Sequence, residues 1–168
     1  MTKTDHGDAM LLQHRVEQFL FHEADLLDRW ELEAWEGLFA DEAEYLVPPT
    51  DVDGDTASPE TSLFYVFDDR QRLHERVVRL GKKGAHSEMP RSRTRRLISN
   101  VIVSRDEAAI SARASFVVYR SKDGVTDAFI GHYLYQIAEH ADRLMIKRKT
   151  CVLDLEALRP HGRISIIL

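Results

Sequence analysis

The second half of this 168-residue chain alternates apolar and polar residues over four long runs, residues 97–105, 108–120, 125–139 and 143–155. They are separated only by Asp106-Glu107, Lys122-Asp123-Gly124 and His140-Ala141-Asp142. Period-two alternation places residues i and i+2 on one face, and connections this short join antiparallel neighbours, so the pattern predicts a meander of half-buried strands. Strands this long accumulate twist. The sets Ile110, Ala112, Ala114, Phe116, Val118 and Phe129, Gly131, Tyr133, Tyr135, Ile137 therefore predict a bent sheet with an apolar concave side. Gly131 inside such a strand predicts a bulge or bend.

The first half supplies what fills that concavity. Leu12, Val16, Phe19, Leu20, Leu27 and Trp30 recur at helical spacing after Asp8, a candidate N-cap, and predict a helix over residues 8–29, about 33 Å long. A shorter helix is expected over 31–39, then a strand over 44–47 ended by Pro48-Pro49. The acidic, turn-rich stretch 50–61 reads as an exposed loop, and 63–67 as a further strand. Asp68-Asp69 can cap a third helix over 70–80, with Gly81 as its stop. Helices first and strands afterwards, without βαβ alternation, define an α+β layout in one domain over residues 1–168. The layout resembles the cone-shaped roll of nuclear transport factor 2-like (cystatin-like) proteins, with N-terminal helices packed on a strongly curved antiparallel or mixed sheet.

Composition narrows the chemistry. Hydrophobic residues make up 43% and charged residues 30%, with a net charge of −5, and no apolar stretch approaches the roughly 20 residues of a membrane-spanning helix. The N-terminus lacks an apolar h-region after a basic start, so a cytoplasmic location is expected. Cys151 is the only cysteine. A Rieske centre, a ferredoxin-type cluster and a cysteine-paired zinc site each need at least two from one chain, so no such cofactor or metal is expected here. Gly-x-Gly phosphate loops and a Gly-x-Ser-x-Gly elbow are absent, and Cys151, alternating with its neighbours, reads as a strand residue rather than a nucleophile.

Three constellations could still carry chemistry. His22 and Asp25, or Asp25 and Asp28, lie three apart on the first helix and could form a general-base pair facing a cavity; the plainer reading makes them solvated helix charges. His86 and Glu88, with His74 or His132, could offer two imidazoles and a carboxylate to a metal, although local spacing does not support it. His132 and His140 would lie about 26 Å apart on one strand. The third is the block Arg91-Ser92-Arg93-Thr94-Arg95-Arg96, where Arg93 and Arg95 share a face with Leu97, Ser99, Val101 and Val103. In an acidic chain without a basic stripe, this block suits carboxylates of a protein partner better than nucleic acid, and the plainer reading makes it a solvated charged face.

The order of segments adds a resemblance. Val16 to Leu20, Glu23 to Asp28, Trp35, Leu38-Phe39, Tyr45 to Pro48, Asp68-Asp69-Arg70, Leu73, Arg76-Val77, Arg79-Leu80, the run from Pro90 to Val101, and Leu153-Asp154-Leu155 together resemble the small (β) subunit of bacterial aromatic-ring-hydroxylating dioxygenases. That resemblance implies a non-catalytic structural subunit docked to a large (α) subunit, with a homotrimer of small chains inside an α3β3 hexamer. The large subunit would carry the Rieske [2Fe-2S] cluster and the mononuclear Fe(II) that cis-dihydroxylates the arene, fed by a ferredoxin, a reductase or both. Arg91, Arg93, Arg95 and Arg96 are the expected subunit contacts. Gly131-His132 departs from the glycine-arginine pair of many relatives. The competing reading is a stand-alone cone-fold isomerase or dehydratase, or a small-molecule-binding protein, using His22 and Asp25.

Overall fold

A computed structural model describes residues 3–82, 84, 88–106, 109–158 and 163–168. Helix α1 (Lys3–Asp28) is followed by α2 (Leu32–Glu36), strands β1 (Phe39–Val47) and β2 (Val66–Asp68), helix α3 (Arg70–Gly81), and strands β3 (Arg93–Arg105), β4 (Ile110–Lys122), β5 (Val125–His140) and β6 (Arg143–Leu153). The strands form one sheet in the order β2-β1-β6-β5-β4-β3. Neighbours pair antiparallel except β1 and β6, which run parallel. The sheet is therefore mixed.

The first helix begins at Lys3, so Asp8 lies inside it and does not cap it. Its C-terminus is closed by Trp30, held at φ 58°, with Trp30 N–H donating to Leu27 O and Glu31 N–H to Leu26 O. This is a Schellman-type ending with a bulky residue where glycine is usual. The left-handed conformation costs a side chain about 1–2 kcal/mol. The indole offsets that by donating to Ser92 O at 3.1 Å and receiving the Arg91 guanidinium over its face. The third helix is capped as the sequence predicts, Asp69 accepting from Arg72 N–H at 2.9 Å, but Gly81 closes it as a helical residue with Lys82 as the C-cap.

Both concave sets named from the alternation are buried. They pack against Val16, Leu20, Leu26 and Leu27 of α1 and Trp35 of α2 in one contiguous apolar cluster. Gly131 is not at a bulge: its pairing with β4 is continuous, and a Cβ there would lie 1.9 Å from Val152 O of β6. Glycine is needed for close backbone approach. Register slips occur elsewhere: between β5 and β6 after Gln136, between β1 and β6 after Phe39, and in β3 between Ser99 and Ile102, where Asn100 takes φ 51°. The β3 slip turns Val101 and Val103 inward, so they do not share the outer face of Arg93 and Arg95.

Candidate functional site

The cone interior contains charged groups that α1 and the sheet bury together. Glu23 and Lys149 are only 2% and 1% exposed, and their ends meet at 2.8 Å. Glu23 also accepts from Trp35 Nε1 at 2.9 Å and from the Tyr135 hydroxyl at 2.7 Å, while Lys149 sits 4.3 Å over the Tyr133 ring. A carboxylate with three donors and an ammonium over an aromatic face are well compensated for lost hydration. The Tyr133 hydroxyl has no hydrogen-bond partner among the described residues, and burial raises its pKa well above the usual phenol value.

One turn further along α1, Asp28 receives Arg96 Nη1 at 2.5 Å, the Arg96 backbone N–H at 2.9 Å and the Thr94 hydroxyl at 3.0 Å. Arg96 Nη2 donates to Ile167 O. Ile166, Ile167 and Leu168 enter the cone and are buried, with Lys149 donating to Leu168 O at 2.9 Å and Leu168 N–H to the Tyr45 hydroxyl at 3.0 Å. Where this segment enters, Glu88 accepts from Ser165 Oγ, Ser92 Oγ and Arg120 at 2.6–2.7 Å. Burial alone would raise the Glu88 pKa, but these donors hold it below the ordinary carboxylate value. Cys151 lies beside Leu168, and burial pushes its thiol up to about 12, so it stays protonated and unreactive.

The opposite face of β3 presents the rest of the arginine block. Arg93 and Arg95 are exposed, with no side-chain hydrogen bond or ion pair among the described residues. Cross-strand register sets Arg95 beside Tyr119 and Ala128, and Leu97 beside Val117 and Ile130. Leu97, Ile130 and Tyr119 are 53%, 45% and 42% exposed, forming an apolar strip with guanidinium groups along its edge. Arg96, one residue from Arg95, points the other way and is committed to Asp28. The expectation that it contacts a partner is thereby corrected: alternation places it inward, and its anion comes from its own chain.

The acidic loop crosses the outer sheet face and is pinned at Asp55, which meets His132 Nε2 at 2.5 Å and Arg113 at 2.8 Å. Burial would raise the Asp55 pKa, but these two partners bring it below the ordinary value. Between loop and sheet lies a cavity of about 710 Å³ lined by Leu46, Phe64, Phe67, Ile102, Arg113 and Arg148 among others.

The candidate general-base pair of the competing reading is not assembled. His22 is exposed, Asp25 faces solvent and pairs with Arg29 at 3.2 Å, and neither enters the cone. Asp28 belongs to the Arg96 cluster. His74 pairs with Glu36 at 3.1 Å, His132 with Asp55, and His86 lies outside the described residues. Among the described residues, no three His, Cys, Asp or Glu side chains converge as a metal site. A single buried cysteine also cannot supply the two thiolates of a Rieske centre, the cofactor that the resemblance assigns to the large subunit. Sequence reasoning missed Glu23 and Lys149. Glu23 falls on the stripe Val16, Leu20, Leu27, and Lys149 shares parity with Cys151 and Leu153, so each occupies a position the pattern assigns to the core.

A long helix packed over a six-stranded mixed sheet, with its buried charges paired within the chain, is the nuclear transport factor 2-like (cystatin-like) fold. A cystatin-fold protein of this class from Novosphingobium aromaticivorans superposes with TM-score 0.63 at 14% identity, over 91% of this chain and 90% of its own. The chain matches the ring hydroxylating beta subunit family over residues 22–160 and belongs to it. It is 50% identical over 161 residues, 95% of this chain and 89% of the relative, to the small oxygenase component of the p-cumate 2,3-dioxygenase system of Pseudomonas putida. A chain of naphthalene 1,2-dioxygenase solved with indole bound superposes with TM-score 0.81 at 18% identity, covering 100% of this chain and 95% of its own. The protein is thus the β subunit of an aromatic-ring-hydroxylating dioxygenase, a non-catalytic component that works with an α oxygenase subunit. Among the described residues, no helix is long and apolar enough to cross a membrane.

Proposed function

We propose that this chain, as one domain, holds α subunits together in a cytoplasmic α3β3 oxygenase in which small chains form a homotrimer. Arg91, Arg93 and Arg95 are its docking residues. The exposed strip of Leu97, Tyr119 and Ile130 edged by arginines supports this reading most directly. An apolar centre enriched in aromatic residues and arginine is the composition of a protein interface, and unpaired guanidiniums seek carboxylates across it. The α subunit would hold the Rieske cluster and mononuclear iron and receive electrons through a ferredoxin, a reductase or both. The identity to the p-cumate system's small component supports a substituted benzoate as the ring substrate of the assembled enzyme.

Co-expression with the adjacent large chain tests this. A complex with equal numbers of each chain, iron recovered only with the large chain, and turnover of a substituted benzoate are expected. A small chain that purifies alone under the same conditions would sink the proposal. Replacing Arg93 and Arg95 together by alanine should weaken the complex while leaving the isolated fold intact.

A further inference from the structure

The 163–168 segment is held in the cone by contacts that read its main chain. Tyr45 Oη accepts from Leu168 N–H, Lys149 donates to Leu168 O, and Arg96 donates to Ile167 O. The three readers come from β1, β6 and β3, and each is itself buried. The Ile166, Ile167 and Leu168 side chains are buried in the apolar cluster between them. Main-chain hydrogen bonds for affinity and apolar pockets for side chains are how proteins recognise extended peptides. The cations are fixed independently of the segment, Lys149 by Glu23 and Arg96 by Asp28, so both donors are already oriented before it arrives.

We propose that the cone interior is a peptide-binding site. Its ligand class is an extended segment with branched aliphatic side chains, and residues 163–168 occupy it in cis. A tethered ligand acts at an effective concentration on the order of millimolar, which explains how a free peptide would be excluded while the tether is whole. The site is independent of the docking role proposed above, since its readers face inward where Arg93 and Arg95 face out.

The test uses the full chain with a protease-recognition sequence placed between Leu158 and Arg163, folded and purified before cleavage. Native mass spectrometry then follows the freed segment, and fluorescence anisotropy follows a labelled peptide of sequence Arg-Ile-Ser-Ile-Ile-Leu. The segment is expected to stay bound one per chain and to exchange saturably with the labelled peptide. Tyr45→Phe, which removes one neutral acceptor, should speed its release about fivefold. Loss of the segment with the fold retained and no uptake of labelled peptide would overturn the proposal, as would a retained segment that never exchanges in mild denaturant. If cleavage unfolds the chain, restoration by added peptide supports the site and failure to restore overturns it. None of these readouts involves the large subunit, so failure here is distinguishable from failure of the docking proposal.

Discussion

Arg95 and Arg96 are neighbours in sequence and opposites in the fold. The inner face of the sheet buries its charges as matched pairs, Glu23 with Lys149 and Asp28 with Arg96, leaving only Arg96 Nε and the Tyr133 hydroxyl without a hydrogen-bond partner among the described residues. The outer face leaves Arg93 and Arg95 without such partners among the described residues, beside exposed apolar side chains. Charge placed where water is excluded must be neutralised by the fold itself, whereas charge left at the surface can be neutralised by another molecule. The difference separates residues that maintain the cone from residues free to bind across it.

The contrast can be broken most forcefully from inside. Lys149→Met leaves Glu23 buried without its cation and should destabilise the chain by about 3–5 kcal/mol in urea denaturation. Adding Glu23→Gln should recover part of that loss, because the orphaned charge is then gone. A single Lys149→Met variant as stable as the parent would remove the distinction between the faces. Arg96→Ala should cost a comparable amount by orphaning Asp28, while Arg95→Ala should change folding stability by no more than about 0.5 kcal/mol. If Arg95 pairs with a carboxylate across a desolvated interface, the same Arg95→Ala change should weaken association with the large chain by about 2–5 kcal/mol. Gly131→Ala forces a Cβ against Val152 O and should cost about 1–3 kcal/mol, read as a lower melting temperature.

Acid sharpens the comparison at smaller scale. Glu88 and Asp55 both have folded-state pKa values below their ordinary ones. Each therefore contributes stability that is present above its unfolded value, near 4.5 for Glu88 and 3.8 for Asp55, and is lost as pH falls through the folded value. Glu88→Gln should flatten the acid limb of a stability–pH curve visibly. Asp55→Asn, at a half-exposed outer site, should alter it by under about 1 kcal/mol.

Much of this arrangement is legible in local pattern. Alternation assigns the concave sets of β4 and β5, and the Asp68-Asp69 pair marks the start of α3, because both signals depend only on near neighbours. The inward turn of Arg96 is equally local, but its anion lies 68 residues away, and no spacing rule reports that distance. Glu23 was hidden for a different reason. A carboxylate on an apolar stripe looks like an error in the pattern until Lys149, from the far end of the chain, is known to face it. The β3 bulge and the close approach at Gly131 likewise depend on the partner strand's path, so the sequence announces an irregularity without saying which kind.

The parallel pairing of β1 with β6 has a consequence in time. Glu44 and Arg148, which meet across that pair, are separated by 104 residues. At about 5–20 residues per second, a ribosome needs roughly 5–20 s to make that intervening chain. Throughout that interval one edge of β1 has no strand to pair with, and unpaired edges are where nascent chains aggregate. The sheet is completed by β6, the last of its six strands to be synthesised, so this fold closes only after most of its sequence is available.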